Sequence, residues 1–109
     1  MQPMNGAVIQ RLYDLIVSRR GVDPERSYVA RLFQKGRPKM AQKVGEEAVE
    51  VSIAAMQHDH DHMVSESADL LFHLLVLWAD AGIRPSEVWA ELERREGTSG
   101  VDEKKQRVA

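Results

Sequence analysis

Residues 66–79 read "ESADLLFHLLVLWA", and residues 45–50 read "GEEAVE". The first stretch decides the fold. Leu70, Leu71, Leu74, Leu75, Leu77 and Trp78 cover far more than one stripe of a helix. A helix apolar nearly all round belongs in the middle of a bundle. The run from Leu70 to Ala81 is broken by His73 and Asp80. It is too short and too polar to cross a bilayer, which takes about 20 apolar residues. Yet the same helix opens on Glu66 and Asp69, and the segment before it carries Glu46, Glu47 and Glu50. Acids on two core-like helices need a physical reason.

Working outward, apolar residues recur at helical spacing along nearly the whole chain. Val8, Ile9, Leu12, Leu15 and Ile16 predict a first helix ending near Arg19-Arg20-Gly21. Asp23 before Pro24, and Ser27, are cap candidates for a second helix. Tyr28, Val29, Leu32 and Phe33 make that helix short, stopping at Gly36. Pro38 starts a longer one to about Gln57, with Met40, Val44, Ala48, Val51 and Ala55 as its apolar stripe. "HDHDH" (58–62) reads as a polar turn in which Asp59 or Asp61 caps the central helix. That helix runs from about Met63 to Ala81 and ends at Gly82. Pro85 opens a last helix carrying Val88, Trp89 and Leu92. No strand alternation, repeat or heptad series appears. The expected class is all-α, a bundle of about five helices over residues 1–97 with a polar tail over 98–109. Four helices of this size can hardly wrap the central one, so part of it is expected to pack on a second subunit.

Composition narrows the function. The chain has 109 residues, the size of one domain, and a core this small makes oligomerisation a natural supplement. A net charge of −2 gives no polycation for nucleic acid or an anionic membrane. Cysteine is absent, which rules out disulfides and thiolate metal sites and is compatible with a reducing compartment. The N-terminus lacks the basic region and apolar run of a signal peptide, so a cytoplasmic protein is expected.

On a helical wheel of about 100° per residue with Val44 at zero, Glu46, Glu50 and Glu47 fall near 200°, 240° and 300°. They form a stripe beside the core stripe, shared with Lys39 and Lys43. On the next helix Glu66, Asp69, His73, Leu77 and Asp80 occupy one narrow face. If the two helices pack through these faces, the carboxylates meet at the edge of a low-dielectric core. Two like charges about 5 Å apart cost roughly 3 kcal/mol at an effective dielectric of about 20. Several such pairs would consume much of a small domain's stability of about 5–15 kcal/mol. Protons, the lysines or a cation must offset them. Oxygen-only ligation suits Mg²⁺, or Mn²⁺ in its place. The alternative is that "EEAVE" is a solvated helix face.

The spacing Glu46-Glu47-x-x-Glu50, then Glu66-x-x-Asp69, resembles the EExxE…ExxD signature of the MazG-like all-α nucleotide pyrophosphohydrolases. The longer strings "AQKVGEEAVEV" (41–51), "ESADLLFHLLVL" (66–77), "AELERREG" (90–97), "SYVARLFQKG" (27–36) and the "SG…EK" tail closely resemble the phosphoribosyl-ATP pyrophosphohydrolase family, over about residues 7–107. Two features depart from it: "HDHDH" replaces a more ordinary charged linker, and Glu96 stands where members often carry an aromatic. The resemblance implies cleavage of the α–β phosphoanhydride of phosphoribosyl-ATP to phosphoribosyl-AMP and pyrophosphate, the second step of histidine biosynthesis. It also implies a Mg²⁺ requirement and a homodimer. By the same analogy Glu47, Glu50, Glu66 and Asp69 are the Mg²⁺ ligands. Glu46 positions or deprotonates water, or holds a second Mg²⁺, and the roles of Glu46 and Glu47 are exchangeable.

Around that core, Lys43 binds phosphate or simply offsets the carboxylates. Arg31 and Lys39 are phosphate candidates or solvated surface residues. His73 hydrogen-bonds a carboxylate or a phosphate, or is a satisfied core histidine. Tyr28 or Phe33 stacks on adenine or packs in the core. "HDHDH" offers no preset tetrahedron for a metal. Trp78 and Trp89 read as core or interface residues. Two other functions stay open on the residues alone: a pyrophosphohydrolase clearing other nucleoside triphosphates, and a metal-free helical dimerisation module.

Overall fold

The computed structural model describes residues 5–108, apart from the side chains at 103 and 108. Six helices make up the described chain: α1 Ala7–Ser18, α2 Tyr28–Lys35, α3 Arg37–Met56, α4 His60–Ala81, α5 Pro85–Arg95 and α6 Gly100–Val108. No strand occurs among the described residues, as the periodicity predicts. Among the described residues no helix is long and apolar enough to cross a membrane.

Local chemistry sets each boundary. The Ser27 hydroxyl accepts from the Ala30 N–H at 3.1 Å and starts α2. Gly36 alone separates α2 from α3, at φ +93°, where a side chain would be strained. Gly82 closes α4 in the left-handed region, with the Ile83 N–H bonded to the Trp78 carbonyl at 2.9 Å. The Arg84 N–H donates to the Glu87 carboxylate at 2.8 Å just before Pro85 begins α5. Later on α5, Arg94 and then Arg95 hydrogen-bond Glu91 and push its carboxyl down to about 2.

Two boundaries differ from expectation. α4 begins at His60 rather than Met63, because the Asp59 side chain accepts from the His62 N–H at 3.0 Å and caps three residues earlier. The turn is shorter in consequence, with His58 in the left-handed region at φ +56°. A sixth helix also forms where a polar tail was expected: the Ser99 hydroxyl caps the Asp102 N–H at 3.1 Å. Its described side chains are all exposed, Val101 among them. The ends of the two expected segments, residues 1–4 and 109, lie outside the described residues.

α3 and α4 form an antiparallel hairpin, the largest helix–helix contact of the chain, with α1 against α4 and α2 against α3. The core joins Tyr13 and Ile16 of α1, Leu32 of α2, Met40 of α3, and Leu75, Val76 and Ala79 of α4. α1 faces it through Ile9, Leu12, Tyr13 and Ile16, at the i, i+3, i+4, i+7 spacing. Val8 and Leu15, expected on that face, are exposed on its flanks. Trp78 meets Trp89 edge to face, tying α4 to α5.

Along α3 the inward stripe runs Met40, Val44, Glu47, Val51, Ala54, in steps of four and three. Glu47 therefore sits within the seam rather than beside it. Ala48 lies outside the stripe in which it was expected. With Val49, Ser52, Ile53, Met56 and Gln57 it lines a shallow apolar groove open to solvent.

At the α1 end of the hairpin, Asp80 is gripped by two arginines. Arg20 donates to its Oδ1 at 3.2 Å and Arg37 to its Oδ2 at 2.8 Å. Arg37 also reaches the Asp80 carbonyl at 3.1 Å, and Arg20 lies over the Phe33 ring. This clamp ties α2, α3 and α4 to the turn that ends α1.

Candidate metal centre

The seam turns acidic midway along the hairpin. Glu47 from α3 meets Glu66 and Asp69 from α4, each offering a carboxylate oxygen, all within 4.8 Å of one another. The 66/69 spacing puts both α4 acids on one face. The antiparallel pairing then brings Glu47 across from them. Glu47 and Glu66 are half-buried and Asp69 is exposed. Among the described residues no lysine or arginine forms a salt bridge with any of the three.

The electrostatics are set by that crowding. Burial, then the Asp69 charge, pushes the Glu47 carboxyl above its ordinary value, with Glu66 adding to the effect and His73 opposing it. Both causes disfavour the charged carboxylate, and a positive charge placed among the three acids would offset them. Three carboxylates without sulfur or imidazole fit a hard, oxygen-seeking divalent ion. The residues present therefore fit a metal ion, and the fit rests on the donor set and on the uncompensated charge.

The other residues singled out in the sequence fall around this group. Glu46 lies outside it and is exposed. Gln42 donates to it at 2.7 Å and Lys43 approaches at 3.6 Å. The Gln42 hydrogen bond first, then Lys43 and Lys39, hold its carboxyl below the ordinary value. Glu50 is exposed and does not join the three converging acids. Lys39 is on the Glu46 side of α3. The Arg31 Nε donates to the Pro24 carbonyl at 3.3 Å.

His73 is buried and both its ring nitrogens have protein partners. Nδ1 lies 2.9 Å from the Asp69 carbonyl, which can only accept, so Nδ1 carries the hydrogen. Nε2 is hydrogen-bonded with the Tyr28 hydroxyl at 3.0 Å, which can donate to a neutral ring or accept from a protonated one. Tyr28 also stacks on Phe72, with centroids 6.1 Å apart. The Tyr28–His73 link escaped the sequence, because nothing in local spacing connects residues 45 positions apart. The His62–Glu66 contact, Nε2 to Oε1 at 3.1 Å, escaped for a different reason. Its i, i+4 spacing was visible, but a turn was expected where α4 begins.

Among the described residues the chain is an all-α bundle in which three acids from two antiparallel helices meet in one seam and could hold a metal ion. Comparison with known proteins narrows that class. The profile of phosphoribosyl-ATP pyrophosphohydrolase matches residues 9–96. A protein of Paramagnetospirillum magneticum named phosphoribosyl-ATP pyrophosphatase is 60% identical, over 93% of this chain and 93% of its own. One of Azospirillum brasilense with the same name is 58% identical, over 95% and 94%. A third, from Rhodospirillum rubrum, is 55% identical over 94% and 87%. The chain belongs to the phosphoribosyl-ATP pyrophosphohydrolase family.

Proposed function

We propose that this chain hydrolyses phosphoribosyl-ATP to phosphoribosyl-AMP and pyrophosphate at a Mg²⁺ site built on the α3–α4 seam. As a family member it is a hydrolase of a phosphoanhydride and serves the second step of histidine biosynthesis. A cytoplasmic location accords with that role. The observation that carries the site is the convergence of Glu47, Glu66 and Asp69 on one point.

Glu47, Glu66 and Asp69 would hold Mg²⁺, or Mn²⁺ in its place, with Glu50 completing the set from the next turn of α3. When bound, the ion masks the charge of the triphosphate and acidifies water. Glu46, hydrogen-bonded by Gln42 at 2.7 Å and approached by Lys43 at 3.6 Å, would orient a water and take its proton. Water adds to phosphorus, the α–β anhydride bond breaks, and pyrophosphate leaves. Lys43 and Lys39, on the Glu46 side of α3, are the proposed partners of phosphate oxygens, with Arg31 a further contributor; His73, buried with both ring nitrogens bonded within the chain, is a packed core histidine instead.

We also infer a homodimer that completes the bundle. Val49, Ile53 and Met56 of α3 and Val64 and Leu71 of α4 are exposed, more apolar side chain than a lone small domain comfortably shows. The radius of gyration is 16.1 Å, against about 13 Å for a compact domain of this length. Sedimentation of the chain at micromolar concentration tests this, and a monomer would contradict it.

The decisive assay measures pyrophosphate release from phosphoribosyl-ATP with and without Mg²⁺, beside a deoxynucleoside triphosphate. Metal-dependent release favouring phosphoribosyl-ATP is expected. Preference for the deoxynucleotide would replace the substrate assignment.

A further inference from the structure

We propose that His62 is a positioning residue for the metal centre, holding the Glu66 carboxylate in place rather than binding the ion itself. The inference rests on the metal reading of Glu47, Glu66 and Asp69. Three observations carry it.

The His62 ring lies 3.1 Å from Glu66 through Nε2 and Oε1. An ionised carboxylate only accepts, so Nε2 carries the hydrogen and His62 is the donor. The hydrogen bond fixes one Glu66 oxygen while the carboxylate stays against Glu47 and Asp69.

His62 is itself fixed. Its backbone N–H donates to the Asp59 side chain at 3.0 Å, and the Met63 N–H donates to the Asp59 carbonyl at 3.0 Å. The first turn of α4 is locked at the residue that bears the imidazole. Capped and hydrogen-bonded, residues 59, 62 and 66 form a chain from turn to site.

Glu66 also needs such a restraint. It faces Glu47 and Asp69, and among the described residues no lysine or arginine forms a salt bridge that draws it in. Without a donor, repulsion would favour rotamers that turn its carboxylate away from the other two acids. His62 lies outside the group of mutually close ligand atoms that Glu47, Glu66 and Asp69 form. It therefore acts through Glu66. Outer donors of this kind typically change metal affinity by about 10–100-fold.

The unusual "HDHDH" segment gains a role in this way. Asp59 caps and His62 orients. His60 and Asp61 pair with each other at the surface, at 3.2 Å.

The test measures Mn²⁺ binding to the full chain by electron paramagnetic resonance, with no substrate present. Four proteins are compared: wild type, His62→Leu, His62→Gln and Glu66→Gln. His62→Leu is expected to bind Mn²⁺ about 10-fold more weakly. His62→Gln, whose amide can still donate to Glu66, is expected to recover most of that loss. Metal-free melting temperatures of both His62 variants should match wild type. Wild-type Mn²⁺ affinity in His62→Leu, or equal weakness in His62→Gln, overturns the proposal. So does an affinity loss matched by a lower metal-free melting temperature in His62→Leu, since that is a folding effect. If wild type and Glu66→Gln bind Mn²⁺ equally weakly, the metal reading itself fails, and this inference with it.

Discussion

α4 carries acids in the first half of its seam with α3 and at the far end of it, and the fold treats them in opposite ways. Asp80 is held by Arg20 and Arg37. Glu66 and Asp69 are set against Glu47 with no lysine or arginine bridged to them among the described residues. The Asp80 end is a finished ion cluster, neutralised from within the chain. The Glu47 end is electrostatically incomplete. In a small domain with stability of about 5–15 kcal/mol such crowding is a real cost, and the proposed metal ion would offset it. Burial alone does not separate the two ends, since half-buried acids occur at both. What separates them is that two arginines close on Asp80, whereas Glu47 faces two further acids.

The largest effect should come from removing a charge at the incomplete end. Glu47→Gln or Asp69→Asn is expected to lower turnover by at least about 100-fold in a pyrophosphate-release assay. The metal-free melting temperature should stay equal or rise, because repulsion is relieved. Wild-type turnover in either variant would break the comparison.

Next comes the metal itself. At a Mg²⁺ concentration about 100 times Kd, binding adds about 2.7 kcal/mol, or roughly 10 °C in melting temperature for a domain of this size. Calorimetry with EDTA and with Mg²⁺ measures it, and Glu47→Gln should lose most of the shift. An unresponsive wild type would make the acids a mere solvated face.

The finished end should answer in stability instead. Asp80→Ala is expected to cost roughly 1–2 kcal/mol by denaturant unfolding, since the arginines are half-exposed but the carboxylate is not. Activity at permissive temperature should persist. Loss of activity without loss of stability would blur the contrast between the two ends.

The smallest effect is a pH dependence. Glu47 has its carboxyl raised in the folded chain, so folding favours its protonated form. Its penalty is therefore full above the folded value and disappears as pH falls below the unfolded value of 4.5. In EDTA, the melting advantage of Glu47→Gln at neutral pH should close as pH falls through that range. A gap that widens on acidification would contradict the sign.

Much of the fold was legible in the sequence. The 3.6-residue period of apolar positions announced five of the six helices, and Ser27, Asp59, Gly36 and Gly82 marked their ends. The paired acids were legible too, because i, i+3 spacing fixes a face whatever the tertiary structure. The course of the seam was not. A straight wheel centred on Val44 set Glu47 to one side, whereas helices packed along their length follow steps of four and three, averaging about 3.5, and the seam drifts across the wheel. The Arg20–Asp80–Arg37 clamp could not be read, since it joins residues 60 and 43 positions apart. Helix α6 was missed because its surface is polar nearly all round and it starts on a single hydroxyl cap. Glu50 stands apart from the converging trio, which spacing could not foresee, since it shares the stripe of Glu47.

The hydrogen bond from His73 falls on the main chain of Asp69 and not on its carboxylate. The anchor thus steadies the rung of the ladder on which the acid stands, while that bond leaves the lone pairs of both side-chain oxygens unspent. Rigidity is drawn from one set of atoms of this residue, and the oxygens proposed to hold an ion belong to another.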